Sequence, residues 1–164
     1  MKELQYKPKG FWRLDDTAPF QDYSGYNNNA TLSGTESHGI SLSSEAVYSQ
    51  KLTSTVIATF PSSVYKAGKE NDSFSLSATV HMYNSGGDHQ ILGSAGKNDG
   101  LTINGSVVSF STKYVNQGYA KCSYDLGAHM RVDLVGIHTS RKNSLYVNGR
   151  LVAEIEITPA QQND

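Results

Sequence analysis

The sequence predicts an all-β protein, an antiparallel two-sheet sandwich of the jelly-roll kind, on three observations. Apolar residues recur at every second position in several segments, two Asn-Gly pairs interrupt β-branched runs, and no segment of helix length carries a helical stripe. The 164 residues suffice for one domain with a sizeable core. The expected organisation is an N-terminal extension over 1–9, a sandwich over 10–158 and a tail over 159–164.

Taken in order, the first candidate strand is "FWRL" from Phe11, followed by "ISLS" from Ile40 and "TVIATF" from Thr55. In "FSLSATVHMY", Phe74, Leu76, Ala78, Val80 and Met82 share one face, while Ser75, Ser77, Thr79, His81 and Tyr83 share the other. "QILGSA", "YAKCSYDL" and "MRVDLVGIH" continue the series. "LTINGSVVSF" and "SLYVNGRLVAEIEI" read as hairpins with Asn104-Gly105 and Asn148-Gly149 in type I′ turns, whose central residues both need positive φ. After the second turn Leu151, Ala153, Ile155 and Ile157 form the expected core face, and Arg150, Glu154 and Glu156 the wet one.

Charge excludes several partners. With 14 basic and 15 acidic residues, formal net charge −1 and no basic patch, neither nucleic acid nor an anionic membrane is an expected partner. The N-terminus has lysines with no apolar run behind them, and no window has the apolar length of a membrane span, so membrane insertion is not expected. The lone Cys122 forms no intradomain disulfide and reads as a small packing residue. Asn29, Asn71 and Asn104 each begin a glycosylation tripeptide, which without a secretion signal reads as chance.

The stretch "GFWRLDDTAPFQDYSGYNNNATLSG" has an aromatic-rich strand ending in Leu-Asp, then Asp-x-Ser-Gly, an asparagine-rich turn and a further strand. With "SFSLSATVHMY", "HQILGSA" and "LYVNGRLVAEIEI" in that order, it resembles concanavalin A-like, laminin G-type domains over about residues 10 to 158. The resemblance implies a two-sheet sandwich, usually non-catalytic, that binds glycans or proteins at surfaces. Thr79 stands where that family usually has a tryptophan. Trp12 is the only tryptophan of the chain and reads as a packing residue of the first strand.

Glycoside cleavage needs an acid and a base or nucleophile facing one cleft. The only similar pattern, Glu154 and Glu156 in "AEIEI", follows the late hairpin and reads as a solvated face. Asp15-Asp16 reads as a strand-end turn. No GxSxG elbow or zinc spacing occurs, and "GSAGKNDG" lacks the Lys-Ser/Thr of a phosphate loop. His129 and His138 have opposite parity on one strand and read as separate residues.

Two readings of the loop "DYSGYNNNATLSG" stand. Asp22 and Ser24 can accept amide hydrogen bonds while Gly25 and the asparagines take left-handed φ, closing a turn; or Asp22 and Asn27 supply oxygen ligands to calcium. Ligand-binding candidates are Tyr83, Asn84, Asp88 and His89 in "YNSGGDHQ", and Tyr114, Asn116, Gln117 and Tyr119 in "KYVNQGY". Aromatic rings stack on sugar faces and planar amides pair with hydroxyls; the plainer alternative is a pair of solvated hairpin tips. Three functional classes follow: a lectin-like module for cell-surface glycans, a decoration or adhesion protein of a bacteriophage particle that binds virion proteins, and, least favoured, a carbohydrate-active enzyme. Location on a virion or an extracellular surface is the matching expectation.

Overall fold

In the computed structural model, residues 8–13, 20–33, 38–40, 48–50, 57–59, 73–81, 88–94, 99–114, 118–127 and 131–157 are described. They contain twelve strands and no helix, so the chain is all-β with antiparallel pairing throughout. The chain divides into two compact units, Met1–Tyr65 and Lys66–Asp164.

In the first unit, β1 (Thr31–Ser33) pairs with β4 (Ile57–Thr59), and β2 (His38–Ile40) pairs with β3 (Tyr48–Gln50). The strand expected at "FWRL" is corrected: residues 11–13 make a single antiparallel bridge, Trp12 opposite Asp22. On the Gly10 side the partner strand turns away, where Gly25 and Asn27 take φ of 89° and 59°. Trp12 packs locally, its ring filling the space a Cβ on Gly10 would occupy and its indole N–H donating to the Asn28 carbonyl at 3.1 Å.

The second unit holds two four-stranded sheets. One has β5 (Phe74–His81), β10 (Arg131–His138), β11 (Lys142–Val147) and β12 (Arg150–Glu156) in the order β12-β11-β10-β5. The other is a meander of β6 (Asp88–Ser94), β7 (Asp99–Asn104), β8 (Val107–Tyr114) and β9 (Gly118–Asp125). Their inner faces supply the core: Leu76, Val132, Leu134 and Leu145 from the first, Leu101, Ile103, Val108 and Phe110 from the second. The Phe74 and Phe110 rings meet edge to face at 6.2 Å, and a Cβ at Gly136 would stand 2.3 Å from the Phe110 ring. Gly136 is therefore the hollow that admits the largest buried side chain.

Period-two reading of β5 agrees with burial, since Leu76 is buried while Ser75, Ser77 and Thr79 are exposed. Asn148 and Gly149 both have positive φ, 50° and 75°, which is the type I′ pattern. The other hairpin is corrected by one residue. Asn104 pairs with Val107, leaving Gly105-Ser106 as the loop with Gly105 at φ 59°, the glycine-first pattern of a type II′ turn. The expected core face of β12 is also corrected. A bulge at Val152, where Leu145 pairs with Ala153 but Tyr146 with Leu151, turns Leu151 outward to 45% exposure. Ile155, on β12 at the end of the described strand order, is 37% exposed, while Ile157 stays buried.

Candidate functional site

Strand register places the described residues that flank the two expected ligand loops. The segment with Tyr83 and Asn84 runs between His81, where β5 ends, and Asp88, where β6 begins; Asp88 pairs with Asn104 beside the Gly105-Ser106 turn. Tyr114 and Gly118 pair at the far end of β8 and β9. From Val107 to Tyr114 the chain runs about 23 Å at the usual rise per residue. The four described candidates thus fall at opposite ends of one sheet, Asp88 and His89 at one and Tyr114 and Tyr119 at the other. Tyr83, Asn84, Asn116 and Gln117 lie outside the described residues, and Asp88, His89 and Tyr114 are described through their strand backbone. Tyr119 is 41% exposed, with the Lys113 ammonium 5.8 Å from its ring centroid, a cation–π contact that already uses the ring.

The Asp22 loop closes through its own hydrogen bonds. Asp22 Oδ1 accepts from the Phe11 and Ser24 amides at 2.9 and 2.8 Å, and Oδ2 accepts from the Ser24 hydroxyl and Asn28 amide at 2.7 and 2.9 Å. In turn the Asp22 amide donates to Asn29 Oδ1, and Asn28 Nδ2 donates to the Lys9 carbonyl. Burial opposes ionisation of Asp22, yet the Ser24 hydroxyl and the amides of Phe11, Ser24 and Asn28 outweigh it and hold the carboxyl at about 2. Four donors occupy the four lone-pair positions of the carboxylate. A calcium ion would have to displace them, and Asn27 Oδ1 accepts a hydrogen bond from Asn29 Nδ2 at 3.5 Å. The turn reading accounts for every one of these contacts. Among the described residues no three His, Cys, Asp or Glu side chains gather as a metal site.

The remaining reactive groups have structural partners. Glu154 accepts from the Lys142 ammonium at 2.9 Å and the Ser144 hydroxyl at 2.8 Å, and the Lys142 bond leads in lowering its pKa. Burial pushes the Cys122 thiol up to about 11, so its thiolate is scarce at neutral pH. His138, 2% exposed, stacks on Phe74 at 5.0 Å and bonds Asn143 Oδ1 through Nδ1 at 2.8 Å. Asn143 Nδ2 donates across the sandwich to Thr112 Oγ1 and the Ala120 carbonyl at 2.9 and 2.7 Å. This polar bridge escaped the sequence reading because Asn143 belongs to a hydrophilic run, "SRKNS", that marks a turn as readily as a core position. His129 lies outside the described residues.

No family model matches the sequence, and no curated protein matches it. Among solved structures the chain is similar to the binding domain of botulinum neurotoxin serotype C1, with 17% identity and a TM-score of 0.60 over 86% of this chain and 37% of that one. It is similar to a botulinum neurotoxin type C structure, reported with cell entry dependent on two ganglioside molecules, at 19% identity and a TM-score of 0.60 over 84% of this chain and 36% of that one. A third is the binding domain of botulinum neurotoxin DC in complex with rat synaptotagmin II, at 21% identity and a TM-score of 0.58 over 87% and 38%. The chain spans little more than a third of the length of these chains. At such identities the shared property is the β-rich fold.

Proposed function

We propose that the chain is a non-catalytic recognition module, a concanavalin A-like, laminin G-type sandwich that binds surface glycans as part of a virus particle or cell-surface assembly. The observation that carries this reading is the likeness to toxin receptor-binding domains, one reported with gangliosides, joined to the way this chain uses its carboxylates. Glu154 is tied to Lys142 and Ser144, and Asp22 is saturated by donors, so neither is poised as an acid or base. A second reading, binding of a protein partner without sugar, draws on the neighbour solved with synaptotagmin II.

A glycan array run with and without calcium tests the proposal. Binding to a defined glycan group in both conditions is the expected result, and an empty array with a specific protein captured instead would favour the second reading. Release of reducing sugar from a polysaccharide panel, abolished by Glu154→Gln, would overturn the non-catalytic assignment.

A further inference from the structure

Asn143 is wholly buried, and a primary amide in a core costs free energy unless its hydrogen bonds are made. Both of its N–H groups are spent across the sandwich, on Thr112 Oγ1 at 2.9 Å and on the Ala120 carbonyl at 2.7 Å. That carbonyl can only accept, so turning the amide over would bring two oxygens together at 2.7 Å. The amide therefore has one orientation. Its Oδ1 faces His138 Nδ1 at 2.8 Å, and that imidazole nitrogen has to carry a proton.

These four residues form two cross-strand pairs. His138 stands opposite Asn143 in the β10–β11 ladder and Thr112 opposite Ala120 in the β8–β9 ladder, so one amide joins a pair in each sheet. Elsewhere the inner faces carry aliphatic side chains, Val132, Leu134 and Leu145 on one sheet and Leu101, Ile103 and Val108 on the other. Apolar contacts have no direction, and such a core can repack when one sheet slides on the other. A bond to a backbone carbonyl cannot follow. Sliding by one residue moves a strand about 3.3 Å, which takes both acceptors away from Nδ2 and leaves a buried amide unpaired. We propose that Asn143 is a latch that selects one register between the two sheets, with His138, protonated at Nδ1, as its brace. Without the latch the apolar core holds the sheets together in more than one alignment.

The wild-type chain offers the first test. Long-range proton–nitrogen NMR at neutral pH should find His138 Nδ1 protonated, and the carboxamide protons of Asn143 should exchange with deuterium as slowly as the backbone amides of Leu134 and Leu145. A bare Nδ1, or carboxamide exchange at the rate of an exposed asparagine, would overturn the latch. The second test is Asn143→Leu, which is close in size and makes none of the bonds. It should give more than one set of amide signals across β8, β9, β10 and β11 and lose wild-type NOEs between the sheets. Leu145→Val, an apolar truncation on the same strand, should lower the urea midpoint and keep a single set. A single set with wild-type NOEs in Asn143→Leu would overturn the proposal, and so would multiple sets in both variants. An Asn143→Leu chain that does not fold would overturn it too, because the bridge would then supply stability and not the choice of register.

Discussion

The Asp22 loop and the two-sheet sandwich of the second unit each hold a chain in one conformation, and they rely on different materials. In the sandwich the aromatic Phe110 is fully buried against Phe74 and the Gly136 backbone in a largely aliphatic core, crossed by one uncharged-amide bridge from Asn143. In the loop the carboxylate is buried under four donors while Phe11, Tyr23 and Tyr26 lie exposed. Cohesion from apolar burial depends on shape and hardly on pH. Cohesion from a carboxylate depends on its charge and on donors placed within tenths of an ångström. Substitutions that break the two regions should therefore differ in size and in pH dependence.

The largest effect is expected at Phe110. Phe110→Ala removes the ring that fills the hollow over Gly136 and meets Phe74, and should cost about 3–5 kcal/mol by urea denaturation. A loss below about 1 kcal/mol would show that the core does not depend on this ring. Next comes Asn148→Pro, expected to cost about 3 kcal/mol or more, because proline has neither the φ of 50° nor the amide that donates to the Asp133 carbonyl at 2.8 Å. Asn148→Gly keeps both features and loses only the bond from the Asp133 amide to Asn148 Oδ1, so about 1 kcal/mol is expected. Equal effects from the two substitutions would refute this division of roles.

Gly136→Ala approaches the Phe110 contact from the other side. Its new methyl would stand 2.3 Å from the ring, an overpacking expected to cost about 1–3 kcal/mol. Combining it with Phe110→Leu should cost less than the sum of the two single changes, since the smaller side chain vacates the contested space. Strict additivity would place the strain elsewhere.

The sandwich was legible in the sequence because its strands alternate and its turns carry glycine at the sites that need positive φ; Phe74 to Val80 and Asn148-Gly149 are the clearest cases. Misreadings occurred where one residue changes the register. The bulge at Val152 turns Leu151 outward, and period-two counting has no means of locating an extra residue. At Asn104 the dipeptide signal was right about the hairpin and one position wrong about the loop, because glycine alone satisfies the glycine-first turn. The exposure of Phe11 was missed for a different reason. Phe11 looked like a strand residue, and only the bridge at Trp12 reveals which neighbours share its face.

The smallest effect, and the one that separates the two regions most cleanly, is acid loosening of the loop. Asp22 has a folded pKa of about 2 against an ordinary 3.8, so its charge stabilises the folded form. That contribution is fully present above about pH 4 and is lost as pH falls through 4 towards 2. Allowing for solvent screening near the surface, it amounts to roughly 1–2 kcal/mol. Hydrogen-exchange protection of the Phe11, Ser24 and Asn28 amides should therefore fall over that window, after correction for intrinsic rates, while the amides of Val132 and Leu134 in the sandwich hold theirs. Asp22→Asn should show weakened loop protection at neutral pH and little further loss in acid, because the amide keeps one acceptor and turns a donor towards backbone N–H groups. Loop protection in the wild type that persists unchanged at pH 2 would mean that the carboxylate is not what ties Phe11, Ser24 and Asn28 together.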